Sequence, residues 1–251
     1  MRRTVFYIVI PVIFSPFYSI AQLAASPSGD NRGMSKALSY YIGSLGINAA
    51  IYTGSENPNP RYPVNDGSPF YGSENAVKGE ILYDGVLFRD VPMWYDVVRK
   101  EVAVQHPKMN ARVALNSKKV EYFFLGNSLF IPRPAATKRS ASADDGFCRV
   151  LHDKKTALLV SYNKKMFEVI QESQYVTNYS RLESQYFLLK DGVYYQFKNI
   201  SGLVNLLHDR KQELQQHLKK LRDQMKNDGI SFNGNSEVAM IGLLEYYDEH
   251  L

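Results

Sequence analysis

The sequence predicts an α+β fold: an antiparallel β-meander, either a curved sheet or a partial barrel, followed by C-terminal helices packed on it. Three observations carry this expectation. Between residues 79 and 198, short runs rich in Val, Tyr, Phe, Leu and Ile alternate with turn dipeptides. Beyond residue 198 the apolar residues recur at helical spacing. Both faces of the Gly126-Asn127 hairpin are apolar, so the sheet needs a cover and the helices need a surface on which to bury their apolar sides.

The chain has 251 residues, 45% hydrophobic and 22% charged, enough for an ample core and too balanced for a disordered chain. Residues 1–21 read as a secretory signal peptide. Arg2 and Arg3 precede an apolar run, and Ser19 and Ala21 place small residues where a signal peptidase reads, so cleavage is expected before Gln22. The alternative, a membrane anchor, is disfavoured by Pro11 and Pro16, which kink a helix and remove backbone donors. The expected product is exported, periplasmic or extracellular, with no transmembrane segment and no Cys near the cleavage point to carry a lipid. Loss of Arg2 and Arg3 lowers the formal net charge from +5 to +3. That balance, with no clustered basic stripe, argues against a nucleic-acid partner.

Residues 22–78 read as a flexible or irregular N-terminal segment. Positions 22–36 are small and polar, 37–52 are apolar but broken by Gly43 and Gly46, and 54–79 are crowded with Pro, Asn, Gly and Ser. The near-repeat Gly54-Ser55-Glu56-Asn57 and Gly72-Ser73-Glu74-Asn75 is too poor in carboxylates for calcium and reads as two similar turns.

Residues 79–198 form the expected β domain. An Asp84-Gly85 turn pairs Tyr83 with Val86, Leu82 with Leu87, Ile81 with Phe88 and Glu80 with Arg89, sorting Ile81, Tyr83, Val86 and Phe88 onto one apolar face. Gly126-Asn127, with Gly first, suits a type II′ turn and opposes Phe124 to Leu129, Phe123 to Phe130 and Tyr122 to Ile131. Asp191-Gly192 pairs Leu189 with Tyr194, Leu188 with Tyr195 and Phe187 with Gln196. Further strands are expected at 101–106, 112–115, 147–152 and 156–162, and a solvated loop at 132–145. In the helical segment 199–251, Ser201 is the expected cap of a short helix with Leu203, Leu206 and Leu207. Asp209 begins a longer helix with Leu214, Leu218, Leu221 and Met225 on one side, Gly229 stops it, and Ser236 opens a last helix with Met240, Leu243, Leu244, Tyr247 and Leu251.

Two stretches carry a resemblance. One is Ser68-Pro69-Phe70-Tyr71 with 79–92, Tyr95-Asp96 and Gln105-His106-Pro107; the other is 186–195 with Leu203, Leu206-Leu207, Lys211 and Tyr246-Tyr247. Together with Ala21-Gln22 they resemble an exported, uncharacterised β-rich protein family of Bacteroidota with no known activity. The resemblance covers most of the chain beyond residue 21 and implies export to the cell envelope and a β-rich body with a helical tail. Its motifs are turns and core residues, so it implies no catalytic residue.

Chemistry is sparsely signalled. The chain has no Gly-x-Ser-x-Gly elbow, His-Glu-x-x-His helix or phosphate loop, and no cofactor is expected. The histidines are scattered; His208 and His217, nine residues apart, fall on opposite sides of a helix, so no metal is expected. The single Cys148 excludes an intramolecular disulfide and reads as a buried small hydrophobe. Four residues stand as ligand-binding candidates. His106 and His152 sit at strand ends, where acid/base residues occur but exposed turn histidines are commoner. Trp94, beside Tyr95 and near Phe88, reads as sheet-edge core or as a sugar-stacking platform. Three functions remain open: a non-enzymatic binding or structural module engaging an envelope protein, glycan or lipid; a carrier of an apolar ligand in a half-barrel cavity; and an unrecognised hydrolase. A cavity of several hundred cubic ångströms would favour the carrier, a filled core with an exposed aromatic patch the module, and convergent His and carboxylate groups the enzyme.

Overall fold

The structure, a computed structural model, describes residues 50–134, 146–232 and 236–250. The expected signal peptide, the lead-in, most of the 132–145 loop and Leu251 lie outside them. The described residues form two sheets and three α-helices. The strands are β1 Ser55–Glu56, β2 Val64–Asp66, β3 Val77–Tyr83, β4 Val86–Asp96, β5 Glu101–Gln105, β6 Arg112–Ala114 and β7 Val120–Leu125. They continue with β8 Ser128–Pro132, β9 Phe147–Asp153, β10 Ala157–Asn163, β11 Met166–Gln171, β12 Gln174–Tyr179, β13 Glu183–Lys190 and β14 Val193–Phe197. The helices are α1 Ile200–Leu206, α2 Lys211–Asn227 and α3 Ser236–Glu249. None is long and apolar enough to cross a membrane.

Eleven strands make one antiparallel sheet in the order β1-β6-β5-β4-β3-β7-β8-β9-β10-β13-β14, open at both ends. The three expected hairpins form. Asp84 and Gly85, and Asp191 and Gly192, all have positive φ, as a type I′ turn demands, while at Gly126-Asn127 only the glycine does, as in type II′. Registers follow the expected pairs, including Ile81 with Phe88, Phe123 with Phe130 and Phe187 with Gln196. Two details differ. A bulge takes Glu80 out of the ladder, although its carboxylate still meets Arg89 Nε at 2.9 Å. The β7–β8 ladder ends at Phe123–Phe130, so the expected Tyr122–Ile131 pair lies beyond it.

The sheet curls strongly. Strands β4 and β9 are four steps apart, which in a flat sheet is about 19 Å. Yet the Tyr95 hydroxyl of β4 accepts from Phe147 N of β9 at 3.2 Å, and Lys100 Nζ donates to Tyr162 O of β10 at 2.8 Å. The inside of the curl is filled by rings: Phe123 stacks on Phe130 at 4.8 Å, Tyr95 and Phe147 meet Phe123 edge-on, and Tyr71 closes on Phe130 and Tyr162.

The helices pack on the β9–β10 and β13–β14 end. Asn199, rather than Ser201, caps α1: its Oδ1 accepts from Gly202 N at 3.0 Å, placing Ser201 inside the helix. Helix α2 ends in a Schellman motif, with Gly229 at φ +71° and Ile230 N bonded to Met225 O at 2.8 Å. Helix α3 buries Met240, Leu243, Leu244 and Tyr247.

A second sheet, β11-β12-β2, has no counterpart in the sequence expectations. Its hairpin turns through Glu172 and Ser173, both at positive φ, a turn built without glycine. Strand β2 joins it in parallel, pairing Val64 with Thr177. Phe167, Ile170 and Tyr175 of this hairpin are exposed.

Candidate functional site

The four candidates from the sequence are not brought together. Trp94 and Tyr95 are successive in β4 and point to opposite faces, both buried. Trp94 Nε1 donates to Glu74 O at 2.9 Å and its ring lies 5.9 Å from that of Phe70, so it anchors the 70–74 loop. Neither histidine is an exposed turn residue. His106 is buried, its Nδ1 accepting from Lys108 N at 3.2 Å and Met109 N at 2.9 Å, which staples its own turn. His152 is buried against Asp248 of α3, with Nε2 2.8 Å from Oδ2. Thr156 completes that cluster, its N and Oγ1 donating to the same carboxylate at 3.2 and 2.9 Å. The threonine hydroxyl and the imidazole both converge on Asp248, not on each other. The cluster ties α3 to the β9–β10 turn.

Cys148 is buried, and burial pushes its thiol up to about 12, the nearby Arg133 and Lys100 only partly opposing. Among the described residues no three His, Cys, Asp or Glu side chains gather to hold a metal.

A different set of residues does converge, around an open cleft of about 220 Å³. One wall is the segment read as an irregular connection, which is held at every step. Strand β1 pairs with β6, and a Cβ on Gly54 would run into Ala114 O, so only glycine permits the approach. Asn57 N donates to Arg112 O at 2.8 Å. Farther along, Gly67 at φ +75° packs on the Tyr179 backbone, Lys164 Nζ donates to Ser68 O at 2.6 Å, and Val97 N donates to Pro69 O at 2.9 Å. Pro60, Val64, Pro69 and Phe70 give the cleft an apolar side.

Arg99 and Arg112, with Glu74 and Tyr179, give it a polar one. Both guanidiniums are oriented from behind by a network. Asp96 Oδ1 accepts from Val98 N and Arg99 N at 2.9 Å each, while Oδ2 takes Arg99 Nη1 at 3.3 Å and Asn57 Nδ2 at 3.4 Å. Asn57 Nδ2 also donates to Glu101 Oε1 at 2.8 Å, which fixes the amide so that its Oδ1 accepts from Arg112 Nε at 3.2 Å. Asn59 Oδ1 takes Arg112 Nη2 at 2.6 Å, and the guanidinium carbon stands 5.2 Å from the Phe70 ring centroid and 5.8 Å from that of Trp94. Burial raises the Tyr179 phenol, Asp96 adding to the effect and Arg99 and Arg112 opposing it, so this hydroxyl stays protonated as a donor. Burial lowers Lys164, with Glu74 opposing.

Sequence reasoning reached this site only through Trp94, which supports Arg112 from beneath. Arg112 itself carries no local signal, because its partner Asn57 is 55 positions away. No family model, curated protein or solved structure matches the chain.

Proposed function

We propose that the protein is an exported, non-enzymatic binding module of the cell envelope, and that the cleft beside β2, β6 and β12 is its ligand site. The observation carrying this reading is the Asp96–Asn57–Glu101 network, in which buried Asp96 and Asn57 and half-buried Glu101 hold Arg99 and Arg112 at the cleft wall. Burying such groups costs free energy unless all are paired, and a polar site held from behind is the arrangement that recognition uses.

Further support comes from where the other groups go. The imidazoles of His106 and His152 are committed to a turn staple and to Asp248, which weighs against acid/base chemistry at either. The interior of the curl is occupied by Tyr95, Phe123, Phe130 and Phe147, which weighs against an apolar carrier. Phe167 and Tyr175 of the β11–β12 hairpin, whose strand β12 also carries the cleft residue Tyr179, are exposed and favour a protein or glycan surface as the ligand's context. Export rests on Arg2-Arg3, the apolar run and Ser19-Ile20-Ala21.

Native mass spectrometry of protein purified from its own host tests the module reading. A retained non-covalent ligand that Arg112→Gln releases is the expected result; a ligand retained equally by wild type and variant would place binding elsewhere.

A further inference from the structure

The cleft's donors specify a ligand class, an inference that rests on the binding-module reading. Arg112 has two of its donor nitrogens tied to Asn57 and Asn59 and its guanidinium carbon 5.2 Å from the Phe70 ring centroid, so its orientation at the cleft is set before any ligand arrives. Arg99 is tied through one nitrogen, Nη1, to Asp96 Oδ2 and to Pro58 O at 3.2 Å. A planar guanidinium held in this way matches an oxyanion with two coplanar oxygens, and pre-orientation removes the rotamer cost of binding one.

Charge decides between oxyanions. Arg99, Arg112 and Lys164 are balanced by Asp96, Glu101 and Glu74, so the region carries no surplus for a dianion. A phosphate would bring two charges to a neutral patch with the Glu74 carboxylate on its rim, whereas a carboxylate brings one. Glu74, an acceptor at the cleft, and the protonated Tyr179 hydroxyl, a donor, ask for a neighbouring N–H or O–H and a further oxygen on the ligand. We propose that the cleft binds a small carboxylate carrying an adjacent hydrogen-bond donor, its carboxyl on Arg112 and Arg99 and its apolar side on Phe70 and Pro69. Two sources share this chemistry: the C-terminus of a short peptide and a uronic acid.

Titration calorimetry with the full exported chain separates them. The probes are N-acetyl-dialanine against its C-terminal carboxamide, galacturonate against galactose, and inorganic phosphate. At least one carboxylate is expected to bind about tenfold more tightly than its uncharged analogue, and more tightly than phosphate. The probe that binds names the source. Arg112→Gln is expected to weaken binding about tenfold or more, and Arg112→Lys, which keeps the charge but loses the fork, nearly as much. Tyr179→Phe, which leaves the packing in place, is expected to weaken it severalfold at unchanged Tm. Equal binding of a carboxylate and its uncharged analogue overturns the inference, as does tighter binding of phosphate, wild-type affinity in Tyr179→Phe and Arg112→Lys, or no carboxylate binding up to about 10 mM. A neutral ligand retained from the host and lost in Arg112→Gln would overturn the carboxylate while leaving the module reading intact.

Discussion

Replacing Asp248 by alanine should be among the most damaging single changes in the described body. The carboxylate takes three donors, His152 Nε2, Thr156 N and Thr156 Oγ1, and the His152 and Asp248 side chains are each only 3% exposed. Hydrogen bonds to a charged group contribute about 1.5–3 kcal/mol each, so a simple sum overshoots. The Thr156 hydroxyl can rotate and water can enter the space left by the carboxylate, which brings the expected loss to about 3–5 kcal/mol, the usual cost of removing one partner from a buried pair. For a domain of about 200 residues that is a Tm drop of roughly 6–20 °C. Equilibrium unfolding in urea measures it, with the m-value unchanged if only stability is altered. Substituting all three residues with apolar side chains, His152→Leu, Thr156→Val and Asp248→Leu, should recover part of that loss but not all of it, because the two side-chain donors are gone while the backbone N–H of residue 156 is left without its carboxylate acceptor. A loss below about 1 kcal/mol in Asp248→Ala would refute the argument that this cluster clamps α3 to the sheet.

Phe130→Ala, which removes a ring packed on Phe123, Tyr71 and Tyr95, should cost about 3–5 kcal/mol in the same assay. Cys148 should resist thiol reagents at pH 8 until the protein unfolds, as followed by mass spectrometry with and without urea. Its raised thiol keeps a proton that the unfolded chain releases, so its contribution to stability is full below about pH 9 and is lost as pH rises from there toward 12. Glu172→Asn with Ser173→Gly should stabilise the protein by about 1 kcal/mol, because both positions have positive φ, and unchanged or lower stability would contradict the turn assignment. N-terminal sequencing of the exported protein should begin at Gln22; a start at Met1 would refute the export proposal.

The parts of the fold legible in the sequence are those with local causes. At Asp84-Gly85, Gly126-Asn127 and Asp191-Gly192 the turn residues themselves dictate the backbone, and alternation on either side then sets the register. The β11–β12 hairpin lacked that cue, since Glu172 and Ser173 occupy positions that glycine or asparagine usually mark. Strands β1 and β2 are two and three residues long and exist through pairing with β6 and β12, which no local pattern announces. The Ser201 cap was displaced by one earlier competitor, Asn199, whose side chain reaches Gly202 N. His106 had a usable signal: an acceptor ring followed by Pro107 and two free N–H groups in a turn is a side-chain staple. The candidate site was the least legible, because the partners of Asn57 lie 39 to 55 positions away along the chain.

A crystal structure of the protein purified from its own host would show whether the cleft is the binding site. Ligand density is expected in the cleft, against Arg112 and Phe70, with the Tyr179 hydroxyl in contact. Density inside the curled sheet, among Tyr95, Phe123 and Phe130, would contradict it and restore the carrier.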